Sequence, residues 1–414
     1  MRRSWVRGVM LASSVVAWPT AAPAQLAVAD GYRVPGLEDR RFNHAGYWAA
    51  LETAIGADEA GRLRVTELGR SIEGRAINAV TFGGGPTSAL LWSQMHGDES
   101  AASMALADIV HWMAASPAED GLRRLLEERL TITMIPMLNP DGAERFIRHN
   151  AIGVDVNRDA RRLATPEGRI LKQVRDSLGA DFGFNLHDQL SRTAGRDGEL
   201  VGIALLAPAA DEERSWGPVR QRARHLSAVI AAALADEIPG RIARYDDTFT
   251  PRAFGDNLQA WGTSTVLIES GELPDDPQKQ ELRRLNVLAI LTALESIARD
   301  VVEDTPTSHY DDLPMNVGIT NELLLSGGHV VMPDGEAYRV DVAIVHDDPV
   351  AGTGPRYGEI GDLEGTRAVE TIDVTGLYIH PDLGDTGYLR RGAPVRLVVR
   401  RGPESGSEEV LRLP

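Results

Sequence analysis

The spacing of apolar positions changes once along this chain. From about residue 60 to residue 303, short apolar runs rich in strand formers are separated by longer amphipathic stretches. The runs "AINAVTFG", "SALLWSQM", "LTITMIPML", "DFGFNLH", "LVGIALLA" and "TSTVLIES" predict strands. Helical spacing appears between them, at Leu106, Ile109, Val110 and Met113 and again from Asp211 to Ile238. Near-continuous apolar strands alternating with helices predict an α/β fold, with a mostly parallel sheet covered by helices on both faces. Chemistry in such sheets gathers where the strands end. After Asp304 the stretch "DTPTSHYDDLPMN" reads as a linker, residues 304–316. Beyond it "HVVMP", "YRVDVAIV", "GLYIH" and "PVRLVVRR" predict a small all-β domain, residues 317–414, to which no catalytic role attaches.

Composition narrows the setting. A chain of 414 residues can bury a large core, and its formal charge of −17 repels phosphate backbones, so nucleic acid is not an expected partner. The opening "MRRSWVRGVMLASSVVAWPTAAPAQ" has a basic start, a short apolar stretch and the small-residue pattern Ala22-Pro23-Ala24. This is the layout of a signal peptide, residues 1–24, cleaved near Ala24 to leave an exported, periplasmic or secreted chain beginning near Gln25. Arg2-Arg3 also fits part of a twin-arginine signal. There is no cysteine, so stability rests on the core and on any bound metal. No other apolar run is long enough to span a bilayer.

The candidate chemistry lies at strand ends. Of ten histidines only His96 has a glutamate, Glu99, three positions on. Chance alone supplies such a pair, but this one closes an apolar strand and precedes a helical pattern, where both side chains can aim at one point. His187 ends another apolar strand and offers a third ligand. Two histidines and one glutamate leave a fourth position open, the composition of a catalytic zinc site rather than a closed structural one. Asn139-Pro140-Asp141-Gly142 is a turn signal, followed by Arg148, Asp155, Asn157 and Arg158. Arginine's planar fork suits a bidentate contact with a carboxylate.

Taken in order, "ELGRSIEGRAI", His96-Gly97-Asp98-Glu99, "NPDG", Arg148 ahead of "GVDVNR", His187 and "VLIESGE" around Glu269 resemble the M14 zinc carboxypeptidases, the family of carboxypeptidase A. The resemblance covers roughly residues 40–303. It implies a mixed, mostly parallel eight-stranded sheet and one Zn2+ held by His96, Glu99 and His187. It further implies Glu269 as general base, Arg148 on the developing oxyanion, and Asn157 and Arg158 on the substrate's terminal carboxylate. Asp155 matches the aspartate that takes the spare N–H of the first zinc histidine. Tyr245 is the nearest candidate for the family's mobile substrate-binding tyrosine, and the pocket for the terminal side chain is expected near Phe254. The expected activity is hydrolysis of the C-terminal bond of peptides with a free carboxylate. An amidase or deacylase of N-acyl amino acids or cell-wall peptides, and a silent binding module, remain as alternatives.

Overall fold

A computed structural model describes residues 23–190, 192–318, 321–345, 354–384 and 389–413. The expected leader lies outside these apart from its last two residues. Up to residue 311 the strands are β1 (Leu63–Arg70), β2 (Ala76–Gly83), β3 (Thr87–Trp92), β4 (Leu130–Ile135), β5 (Phe182–Asp188), β6 (Arg192–Ala194), β7 (Ile203–Leu206), β8 (Ile242–Arg244) and β9 (Ser264–Ser270). The helices are α1 (Pro23–Gly31), α2 (His44–Ile55), α3 (Ala101–Ala115), α4 (Gly121–Arg129), α5 (Pro140–Arg145), α6 (Pro166–Leu178), α7 (Pro218–Leu234), α8 (Phe254–Ala260), α9 (Gln280–Arg299) and α10 (Ser308–Asp311).

All these strands except β6 form one eight-stranded mixed sheet in the order β1-β2-β4-β3-β5-β9-β7-β8. The run β4-β3-β5-β9 is parallel throughout, so four carboxyl ends open on one edge. Alternation along each strand splits the sheet's two faces. Ala89 and Leu91 of β3 join Phe184 and Leu186 of β5 under α1 to α4, α7 and α9, whereas Leu90 and Trp92 pack with Phe254 and Leu258 of α8 and Ile170 of α6. Several predicted boundaries move. β3 stops at Trp92, so His96 stands on the loop beyond it, and the helix foreseen from Asp211 begins only at Pro218, whose fixed φ suits a first helical turn.

The C-terminal strands are β10 (Asn316–Gly318), β11 (Asn321–Val331), β12 (Ala337–Val345), β13 (Arg356–Gly361), β14 (Ala368–Asp373), β15 (Tyr378–Pro381), β16 (Leu397–Arg400) and β17 (Glu409–Leu413). Seven of them form a second sheet around Leu325, Val342, Ile344, Ile379 and Val399. β10 instead pairs antiparallel with β6. The segment 304–316, read from composition as a linker, is packed: Tyr310 of α10 is 1% exposed in the main core, and its hydroxyl accepts a bond from the Ala207 N–H. One buried aromatic outweighs the polar residues around it.

Candidate active site

Each parallel strand end delivers part of one cluster. Beyond β3 the chain runs through Ser93 and Gln94, whose carbonyls accept from Leu138 and Asn139, so the His96 loop is stitched to the turn that follows β4. That turn is the Asn-Pro-Asp-Gly signal. Asn139 caps α5 by accepting from the Gly142 N–H, with Pro140 in the first turn. Gly97 is needed because the Gly142 backbone occupies the place of a side chain, with a Cβ on Gly97 falling 1.9 Å from the Gly142 carbonyl carbon. Asp141, fully buried, accepts from the Ser71 hydroxyl at 2.7 Å, the Glu73 N–H at 3.0 Å and Arg75 at 2.7 Å. The "RSIEGR" stretch is thus the β1–β2 turn that anchors the loop beside His96.

β5 carries His187 on the same face as Asn185, and its register partner on β9 is Glu269. Ligand atoms of His96, Glu99 and His187 all lie within 4.8 Å of one another, and all three residues are buried. His96 Nδ1 is 2.7 Å from Glu99 Oε1, His187 Nδ1 is 2.6 Å from Glu99 Oε2, and the two Nδ1 atoms are 3.2 Å apart. Asp155 Oδ1 lies 3.0 Å from His96 Nε2 and holds a proton on that nitrogen, so Nδ1, which faces the cluster, is the atom that would serve a metal. Two ring nitrogens and a carboxylate converging in a buried space form a donor set that fits a zinc-sized cation.

The charges follow from these contacts. Burial penalises ionised Glu99, but the two imidazoles outweigh it and hold the carboxyl well below the usual range. Burial also opposes the charged form of His96, yet Glu99 and Asp155 raise it to about 9, while burial prevails at His187 and pulls it down. Burial, with Glu99 close by, pushes Glu269 well above an ordinary glutamate.

Arg148 donates to Asp155 Oδ2 through Nε at 3.2 Å and Nη2 at 2.9 Å, and to Glu99 at 3.2 Å. Asp155 also caps the short 3-10 helix Val156–Arg158, accepting from the Asn157 N–H. The Asn157 carboxamide oxygen accepts from the Phe254 N–H, leaving its NH2 for the interior, and Arg158 donates to the Asn157 carbonyl. Tyr245, just past β8, packs on Ala194, Val201, Ala204 and Ala243. Arg148, Asn157, Arg158 and Tyr245 share a cavity of about 390 Å³ with His96, Glu99, His187 and Glu269; Asp155 stands behind it as support.

Sequence reasoning did not foresee Asp188, Lys279 and Arg192. Asp188 donates its N–H to Glu99 and pairs with Lys279 at 3.2 Å, a buried ion pair bracing the cluster from behind. Lys279 lies in a polar "DDPQKQ" run that reads as surface, and Arg192 in "QLSRTAGRDG", which has no periodicity.

Residues 50–178 match the model of the zinc carboxypeptidase family M14, a span that contains His96, Glu99, Arg148, Asp155, Asn157 and Arg158. Over that span the chain is similar to the M14 family, whose members depend on zinc. Among its relatives, an uncharacterized protein of Zymomonas mobilis is 30% identical over 129 residues, 29% of the chain and 32% of that protein. Mouse carboxypeptidase D is 30% identical over 261 residues, 57% of the chain and 18% of that protein. The chain thus spans less than half the length of these relatives. The crystal structure of carboxypeptidase A from Helicoverpa armigera superposes with a TM-score of 0.50 at 13% identity, covering 62% of this chain and 74% of that one, and shares the fold.

Proposed function

We propose that this chain is an exported, zinc-dependent metallocarboxypeptidase that removes the C-terminal residue of peptides. The observation that carries the reading is the meeting of His96, Glu99 and His187 beside a strongly basic Glu269, in a cavity that Asn157 and Arg158 also line. His96 and His187 through Nδ1, and Glu99 through its carboxylate, would hold the zinc. Bound there, zinc supplies Lewis acidity, which polarises a carbonyl and can lower the pKa of a water from about 15.7 to near 7.

The rest is the work of the chain's own side chains. Arg158 and the Asn157 NH2 receive the substrate's terminal carboxylate and set the last peptide bond against the cluster. Glu269 takes a proton from the attacking water as its oxygen bonds the carbonyl carbon. Arg148, already at the cluster, donates to the developing oxyanion. The C–N bond then breaks, and Glu269 returns the proton to the leaving amine. Asp155 keeps His96 in the tautomer that faces inward.

Export is supported by the layout of the leader, with Gln25 as the expected mature terminus. Gln25 is buried and its carboxamide bonds Glu295, so the fold holds the chain from that residue onward. No helix among the described residues is long and apolar enough to cross a membrane.

The deciding experiment compares peptides with free and amidated C-termini. Free acids should be hydrolysed and amides spared, and Arg158→Ala should narrow the gap by weakening action on the free acid. Equal cleavage of both forms would move the assignment to an endopeptidase or a general amidase.

A further inference from the structure

Five cationic side chains line the central cavity, and the structure commits them differently. Arg148 is taken by Asp155 and Glu99, and Lys279 by Asp188. Arg158 has the terminal carboxylate as its proposed partner. Arg192 stands apart, half-buried, with its guanidinium 5.4 Å from the Tyr245 ring centroid and no carboxylate or carbonyl partner for that guanidinium among the described residues. Stacking on a tyrosine satisfies the face of a guanidinium but none of its five N–H donors. Facing a cavity, those donors call for acceptors that the described residues do not provide.

Arg192 is also held with care. Its strand β6 pairs antiparallel with β10, Gly318 opposite Arg192, Val317 opposite Thr193 and Asn316 opposite Ala194. Gln189 and Asn316 exchange two amide hydrogen bonds, and Arg367 of the C-terminal part donates to the Thr193 hydroxyl at 2.9 Å. A surface arginine on a loop would need no such bracing. The bracing fixes where the guanidinium can meet a ligand, five residues beyond His187.

We infer that Arg192 is a specificity residue that receives a second substrate carboxylate, so that the preferred substrates are acidic peptides with a Glu or Asp side chain next to the scissile bond. The inference rests on the peptidase reading above. A planar guanidinium with free donors takes a carboxylate in a bidentate pair, and a charge-assisted bond of this kind exceeds a neutral amide contact by about ten-fold in binding. The selection matters in this site, because Glu99 and Glu269 repel a second carboxylate, while Arg148 and Lys279 are already paired and Arg158 is proposed for the terminal carboxylate.

The test uses two pairs of capped peptides, acetyl-Ala-Glu-Phe with acetyl-Ala-Gln-Phe and acetyl-Ala-Phe-Glu with acetyl-Ala-Phe-Gln. Hydrolysis is measured with the zinc-loaded enzyme, and binding by calorimetry with the metal-free full chain. At least one pair should favour Glu over Gln by about ten-fold in kcat/KM and in affinity. In Arg192→Gln that ratio should fall to one or below, and Arg192→Lys should restore part of it. Hydrolysis with equal rates and affinities for Glu and Gln in both pairs, or a ratio unchanged in Arg192→Gln, overturns the inference and leaves the peptidase reading standing. Arg192-dependent preference in binding with no hydrolysis of any peptide supports the anion site and overturns the peptidase reading. An absence of both hydrolysis and selective binding overturns both.

Discussion

His96 can serve a metal only because Asp155 decides which of its nitrogens is bare. Replacing Asp155 with Ala should therefore weaken zinc binding about 10- to 100-fold, as judged by competition with a chelator, while the far-ultraviolet dichroism stays that of the folded sheet. His96→Ala and His187→Ala remove donors outright, so those proteins should purify with little zinc. Glu269→Gln should separate the roles: zinc content unchanged, turnover down by a factor on the order of 10² to 10⁴, because an amide accepts no proton from water. Asp256, buried in the cavity wall with the Thr250 N–H on its carboxylate, is raised by burial from 3.8 to about 6. The folded state then binds a proton that the unfolded chain releases, so stability falls as pH rises from about 4 to 6, by at most about 3 kcal/mol. Asp256→Asn should remove this loss, so in urea unfolding its advantage over the parent should be larger at pH 7 than at pH 4. At this scale the ligand candidates were legible from the ordered set of motifs, since a His-x-x-Glu pair or a histidine at a strand end arises by itself without any metal. Arg192 was not, because its surroundings come from residues distant in the chain, Tyr245 beside its guanidinium and Gly318 across the strand pair.

Strands buried in the sheet announced themselves, and β2, β3, β4, β5 and β9 overrun the apolar runs by no more than one residue at either end. β1 did not, because it is a sheet edge with mostly polar, exposed side chains, and its sequence lacks the pattern that burial imposes. The three-residue strands β6, β8 and β10 are too short for any period. Turns were read better than their purpose: the Asn-Pro-Asp-Gly signal is a helix cap whose glycine abuts that of the His96 loop. Gly97→Ala is the sharpest probe of that contact. With no room for a methyl against the Gly142 backbone, the loop must shift, and the variant should lose about 1 to 3 kcal/mol of stability together with part of its zinc affinity. A drop in melting temperature with zinc binding intact would show that the loop yields away from His96.

Taken whole, the molecule does not divide where its composition changes. Tyr310 and the pairing of Arg224 with Asp311 tie the segment after Asp304 into the catalytic core. A chain ended after Glu303 loses that buried ring, a deletion on the scale of 3 to 5 kcal/mol, and should melt well below one ended after Gly318. The longer truncation should keep both a single cooperative transition and bound zinc, measured by calorimetry and metal analysis. Sequence alone located the second sheet but could not show this attachment, because Pro, Asp and Thr look the same in a tether and in a packed turn. The pairing of β6 with β10 has one more consequence, in the order in which the protein is made. When residue 303 leaves the ribosome, every proposed zinc ligand and the proposed base is already outside, yet the strand that steadies Arg192 has still to emerge. A nascent chain could thus acquire its cutting machinery before its choice of what to cut, and selectivity would be the last property to mature.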